Sequence, residues 1–152
     1  MTVASAFHWF DFSRFYAEVR RVAKRDGILA VWGYKLPSVT SEVNAAVQRL
    51  DTEILRDFWL PEYELLVEGY RTIPFPFDEI DTPPFRITQE WNLDQLIGFL
   101  GTWSASLRYR TETGRDPCGE IRDELSVAWG APQQERQVSG ELHLRIGRIH
   151  QG

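Results

Sequence analysis

The chain has 152 residues, 43% of them hydrophobic, with nine Phe, six Trp and five Tyr, enough to bury a core and too apolar for a wholly disordered segment. A net charge of −5 and a pI near 5.2 argue against nucleic-acid binding by general electrostatics. One cysteine, Cys118, excludes an internal disulfide or a cysteine-based zinc site and suits a reducing, cytoplasmic setting; no apolar run approaches the ~20 residues that span a bilayer, and the start carries no signal-peptide pattern.

Residues 4 to 34 organise the rest. The reading is the end of a strand, a turn, an amphipathic helix over Phe12 to Lys24, and a second strand. Phe12, Phe15, Tyr16, Val19, Val22 and Ala23 share one helical face, and Arg14, Glu18, Arg20, Arg21 and Lys24 the other. Asp11 can cap the start, and Asp26-Gly27 supplies the closing turn, with glycine expected to take the positive φ. Ile28 to Trp32 runs apolar without alternation, as a strand buried on both faces does. Strand, helix and strand make a right-handed parallel unit.

Beyond it, Leu36-Pro37-Ser38 breaks the strand. Thr40 or Ser38 caps one long helix reaching Trp59, with Val43, Val47, Leu50, Ile54 and Phe58 on one face and Leu55 beside them. Pro61 to Glu68 makes a further helical turn or two, closed by Gly69. Tyr70 to Pro84 is proline- and aromatic-rich, extended, and no central strand. Phe85 to Trp91 alternates as a strand. Asn92 and Gln95 form a capping box ahead of Leu93, Leu96, Ile97 and Leu100. A helix carries Trp103 to Tyr109, and Asp116-Pro117 starts another with Ile121, Leu125, Ala128 and Trp129 inward, stopped by Gly130. The last strand places Val138, Gly140, Leu142, Leu144 and Ile146 on one face, and Ser139, Glu141, His143 and Arg145 on a solvated one.

Three stretches carry a family resemblance: His8-Trp9-Phe10-Asp11 with the helix and ILAVWGY strand behind it, EGYRTIPFPF from Glu68 to Phe77, and GTWSAS from Gly101 to Ser106. Together they resemble class I S-adenosylmethionine-dependent methyltransferases of the trans-aconitate methyltransferase-like branch, over nearly the whole chain. Lys24-Arg25-Asp26-Gly27 stands where that branch has a KPGG turn. The family's donor site opens with a G-x-G-x-G loop, and this sequence contains no G-x-G. The resemblance therefore implies an α/β fold: a partial class I methyltransferase (Rossmann-like) sheet, strands four to seven, in a single carboxyl-terminal domain fragment over 1–152. A helical and aromatic acceptor-side insertion is expected at about 38–84.

The same resemblance implies the site. Ser5, Ala6, Phe7 and Trp9 would line the methionine end of S-adenosylmethionine, and His8 would point toward the methyl group or the acceptor. A histidine there can act as general base or merely shape the pocket through a backbone bond. Tyr34, Tyr70, Arg71, Trp103 and Ser104 are the substrate-side candidates; Arg71 in its aromatic loop offers a bidentate site for a carboxylate, or else a surface ion pair. His8, His143 and His150 lie too scattered for a metal site. Expected partners are a small-molecule acceptor and a second copy or a separate amino-terminal half, without nucleic acid or membrane. The competing reading is a non-enzymatic binding or assembly module derived from a methyltransferase.

Overall fold

The computed structural model describes residues 1–34 and 37–150; of the expected Leu36-Pro37-Ser38 break, Leu36 lies outside them. Two compact units emerge, one of Met1–Lys35, Pro61–Ile87 and Glu141–Gly152, the other of Leu36–Leu60 and Thr88–Gly140. Residues 61–84 of the segment read as an insertion thus belong with the sheet, and only its first part with the helices.

In the first unit, β1 (Thr2–Ala4) pairs in parallel with β2 (Gly27–Tyr34), Thr2 opposite Ala30 and Ala4 opposite Trp32. A 3-10 turn (Phe7–Trp9) and α1 (Phe12–Val22) connect them. The Asp11 carboxylate accepts from the Arg14 N–H at 3.1 Å, the expected cap. The helix stops short of Lys24, because Ala23 turns extended at φ −66°, ψ 144°. Asp26 takes the left-handed turn position at φ +56°, which corrects the assignment to Gly27. Gly27 is needed for another reason: a Cβ there would stand 2.8 Å from the Lys24 carbonyl oxygen.

β2 also departs from expectation, being buried on one face. Leu29 and Val31 are inaccessible, whereas Ile28 and Tyr34 are each 37% exposed and Ala30 and Trp32 are half-buried. Helix α1 and the 70–77 segment cover the odd-numbered face, building a core of Val3, Phe7, Tyr16, Val19, Leu29, Val31, Tyr70, Ile73 and Ile149. β5 (Arg136–Ile149) runs antiparallel to β2, with Gly33 opposite His143 and Val31 opposite Arg145. Short β3 (Asp78–Ile80), inside the proline-rich stretch, pairs with the other side of β5. The strand order is β1-β2-β5-β3, with β4 (Phe85–Trp91) also paired to β5.

The expected facing of β5 fails in its second half. Gly147 is buried and Ile149 is 1% exposed, and the Arg145 side chain, read as solvated, is only 13% exposed. Opposite residues of an antiparallel pair share a face, so pairing with the covered side of β2 turns His143, Arg145, Gly147 and Ile149 toward the aromatic core. Alternation alone could not tell which face would be covered.

α3 (Tyr63–Val67) ends on a Schellman pair of bonds: Tyr70 N–H to Leu65 O at 2.8 Å and Gly69 N–H to Leu66 O at 2.9 Å. Gly69 sits at φ +66° and Tyr70 follows at φ +61°, a left-handed conformation that costs a non-glycine residue about 1–2 kcal/mol.

The second unit is helical. α2 (Ser41–Arg49), capped by Thr40, passes into a π segment (Leu50–Ile54) and a 3-10 turn (Arg56–Phe58) rather than continuing unbroken to Trp59. The i+5 bond from the Leu55 N–H to Leu50 O, 2.9 Å, inserts the extra residue that lets Leu50 and Leu55 both be fully buried. α4 (Leu93–Gly101) carries the full Asn92–Gln95 capping box. α5 (Ser104–Thr113), a 3-10 turn (Pro117–Ile121) and α6 (Arg122–Trp129) complete it. Leu96, Leu100, Ile121, Leu125 and Trp129 are inaccessible or nearly so in its core, each worth about 1.5–3 kcal/mol in removed apolar surface. Cys118 lies in that core, 1% exposed, and burial with Asp116 nearby pushes its thiol up to about 11.

Among the described residues no helix is long and apolar enough to cross a membrane, and no group of His, Cys, Asp and Glu could hold a metal ion.

Candidate functional site

The site grows from the carboxyl end of β1. Ser5 takes φ +47° and donates its N–H to Trp32 O at 2.7 Å, which keeps the chain on the sheet while reversing its direction. Ala6 and Phe7 then enter the 3-10 turn, where Ala6 O accepts from the Trp9 N–H at 3.1 Å and Phe7 O from the Phe10 N–H at 3.2 Å. The Phe7 ring is fully buried and meets Phe12, Phe15 and Tyr70 edge-on at centroid distances of 5.3, 5.7 and 5.4 Å. It anchors the turn, so the Phe7 side chain is committed to the core.

His8 follows on that anchor and is 5% exposed. Its Nδ1 lies 3.1 Å from the Tyr70 hydroxyl, its ring lies nearly parallel to that of Tyr70 at 24° and 5.9 Å, and Trp9 covers it at 4.6 Å. Burial holds the His8 pKa below the ordinary 6.5, against a smaller upward pull from Glu62. The imidazole is therefore neutral near pH 7, the form that can accept a proton. The Tyr70 hydroxyl is pushed up to about 12 by burial, with the Phe7 backbone opposing, and so stays protonated.

Gly33 makes room for this pair. A Cβ at Gly33 would overlap Leu66 Cδ1 and stand 3.0 Å from the Tyr70 hydroxyl. The close approach of α3 to β2 thus needs a residue without a side chain.

Tyr70 and Arg71 diverge. Tyr70 is fully buried and turns inward to His8. Arg71 is exposed, donates Nε to Glu68 O at 3.0 Å, and lines a cleft of about 580 Å³ with Glu79, Glu141, His143 and Arg145. Tyr34 does not join His8. It follows Gly33 on β2 and shares the opposite face with its partner Leu142. Trp103 and Ser104 belong to the helical unit. Trp103 occupies the position before α5 and packs against Trp59 at 5.8 Å and Phe99 at 6.3 Å, and half-buried Ser104 begins the helix.

Arg145 escaped the sequence reading. Its Nη1 donates to Tyr70 O and Ile73 O, both at 2.7 Å. Its Nε and Nη2 bind the Glu79 carboxylate at 2.7 and 3.0 Å, and its guanidinium lies 4.6 Å from the Phe75 ring centroid. The available signal was parity: Arg145 shares a face with Gly147, where a Cβ would meet Phe75 and Phe77 at 2.7 Å, and a strand glycine often marks a closely approached face.

No family model matches the chain. A curated protein of Dictyostelium discoideum, named provisionally as a methyltransferase, is 27% identical over 132 residues, 85% of this chain and 50% of that protein. A solved structure from Anaeromyxobacter dehalogenans, titled with equal reserve as a type II methyltransferase, is 44% identical with a TM-score of 0.88. That match covers 99% of this chain and 64% of the other. The chain thus spans half the length of the curated relative and under two thirds of the solved one. Both likenesses support a methyltransferase family, and the solved structure supports the mixed α/β fold.

Proposed function

We propose that this chain carries the acceptor-side half of a class I, S-adenosylmethionine-dependent methyltransferase of the trans-aconitate methyltransferase-like branch, acting on a small molecule. The observation that carries the reading is the buried His8 in the turn after β1, within hydrogen-bonding distance of the Tyr70 hydroxyl. In open parallel sheets, ligands bind outside the carboxyl ends of the strands, and β1 and β2 are parallel. The turn Ser5 to Phe7 leaves a parallel strand beside His8, the place where the resemblance puts the methyl-bearing end of the donor. The sequence contains no G-x-G loop, so a donor-binding half is the implied partner, and the isolated 152 residues are read as inactive. A cytoplasmic setting belongs to the same reading.

S-adenosylmethionine supplies a methyl group on a sulfonium, a strong electrophile that needs alignment more than activation. The contribution of this chain is to place the acceptor and receive its proton. In the tautomer whose Nδ1–H donates to the Tyr70 oxygen, the His8 Nε2 lone pair is the proton acceptor; in the other, the Tyr70 O–H donates to Nδ1 and Nε2 carries the proton. Arg71 offers a planar, bidentate contact to an acceptor carboxylate.

The test is methyl transfer to small carboxylic acids by the chain joined to a donor-binding half, with and without His8→Ala. A loss of about 10²–10⁴-fold is expected of a general base. A rate within about threefold of the parent would leave His8 a pocket-shaping residue.

A further inference from the structure

We infer that Arg145 is a positioning residue for His8: by gripping the Tyr70 and Ile73 carbonyls it fixes the backbone from which Tyr70 reaches the His8 imidazole. The inference rests on the reading of His8 as the proton acceptor. It adds a residue that acts on His8 through the backbone of Tyr70.

The physical case starts at Tyr70. Its left-handed backbone at φ +61° is one that a tyrosine adopts only where its surroundings hold it. The Schellman bond on the Tyr70 N–H restrains the preceding side. The following side is held by Arg145, which binds the Tyr70 and Ile73 carbonyls through one nitrogen at 2.7 Å each. The guanidinium is itself fixed, chelated by Glu79 from β3 and laid over Phe75. A planar fork can meet two carbonyls and a carboxylate together, whereas an ammonium is a single point. Because the Tyr70 side chain leaves that same backbone, its 3.1 Å contact with His8 Nδ1 inherits the precision of the grip. The groups facing His8 are the Tyr70 hydroxyl and, electrostatically, Glu62 ahead of α3.

Nitrogen-15 NMR of the His8 ring in this chain tests the coupling without requiring activity. The His8 signals are assigned by their loss in His8→Gln. In the parent, His8 should hold one neutral tautomer and titrate below its ordinary value of about 6.5. In Arg145→Lys the midpoint should rise toward that value and the two tautomers should mix, as Tyr70 loosens and water enters. Glu79→Ala, at a half-exposed partner, should move the same signals in the same direction, and it decides the matter if Arg145→Lys fails to fold. Unchanged His8 midpoint and tautomer in the folded variants, with only a lower unfolding midpoint, would overturn the inference and leave Arg145 a purely structural residue. Failure of the catalytic reading shows separately, as methyl transfer that survives His8→Ala.

Discussion

Leu66 Cδ1 occupies the space that a side chain on Gly33 would fill. Helix α3 rests directly on the backbone of β2 there, and the Tyr70 hydroxyl lies 3.0 Å from where that side chain's Cβ would stand. Gly33→Ala should therefore overpack the site and cost about 1–3 kcal/mol. Gly98→Ala is the contrasting change. Gly98 lies within α4 with open space around it, so alanine should stabilise by up to about 1 kcal/mol. Urea unfolding of the two variants reads both signs; a Gly33→Ala protein as stable as the parent would mean that α3 lifts off at little cost.

His8 gives stability a pH dependence with a defined sign. Its folded pKa is lowered by burial, so between that value and about 6.5 the unfolded chain binds more protons than the folded one. Stability should fall as pH drops through about 6.5, and the loss should level off below the folded pKa. Denaturant titrations at pH 8 and pH 5 should differ less in His8→Gln than in the parent. An unchanged difference would assign the slope to other groups.

Arg71 and Tyr70 are sequence neighbours with different work to do, and kinetics should separate them. In the assembled enzyme Arg71→Ala should raise KM for a carboxylate acceptor by about tenfold or more, the worth of a charge-assisted hydrogen bond. Its effect on kcat should be small. Tyr70→Phe should instead lower kcat, since it removes the hydroxyl on His8. Equal effects on KM and kcat from both changes would sink this division.

A polypeptide of these 152 residues alone should bind S-adenosylmethionine weakly or not at all. A glycine-rich loop allows the backbone to approach the donor closely, and no G-x-G occurs in the sequence. Calorimetric titration with the donor and its demethylated product is the check. Micromolar affinity would overturn the expectation.

β1 ends the strand order, with β2 on one side only. The segment Thr2 to Phe7 holds no charge, proline or glycine to blunt that edge. A polypeptide of these 152 residues should therefore self-associate through that edge, seen by light scattering after size-exclusion chromatography. A 17.7 kDa monomer over a wide concentration range, with free amide exchange at residues 2–7, would show a frayed terminus instead.

The parallel β1-α1-β2 unit was legible because each of its signals is local: the Asp11 cap, the 3.6-residue stripe and the apolar strand. The capping box at Asn92 was legible for the same reason. The π segment at Leu50 was not, since it answers to the packing of Leu50 and Leu55 together. Nor was the facing of β5, which depends on the face of β2 that α1 covers. Within the site, His8 and Tyr70 were each singled out, but their contact joins positions 62 residues apart. The sequence places Tyr70 beside Arg71 and says nothing of a backbone turn that sends their side chains apart. Arg145 was misread because a charged residue on a strand usually points to solvent, and only its neighbours Glu79 and Phe75 reverse that expectation.

The solitary thiol of Cys118 makes the helical unit its own stopwatch. A thiol in this core, with a pKa of about 11, is nearly inert to alkylating reagents until the helices around it part. Its rate of modification therefore counts the openings, local or global, that expose this core. Because the chain holds no second cysteine, the count needs no engineered probe. Mass spectrometry at intervals after adding iodoacetamide would give the opening free energy of the helices, to set beside amide exchange in β2.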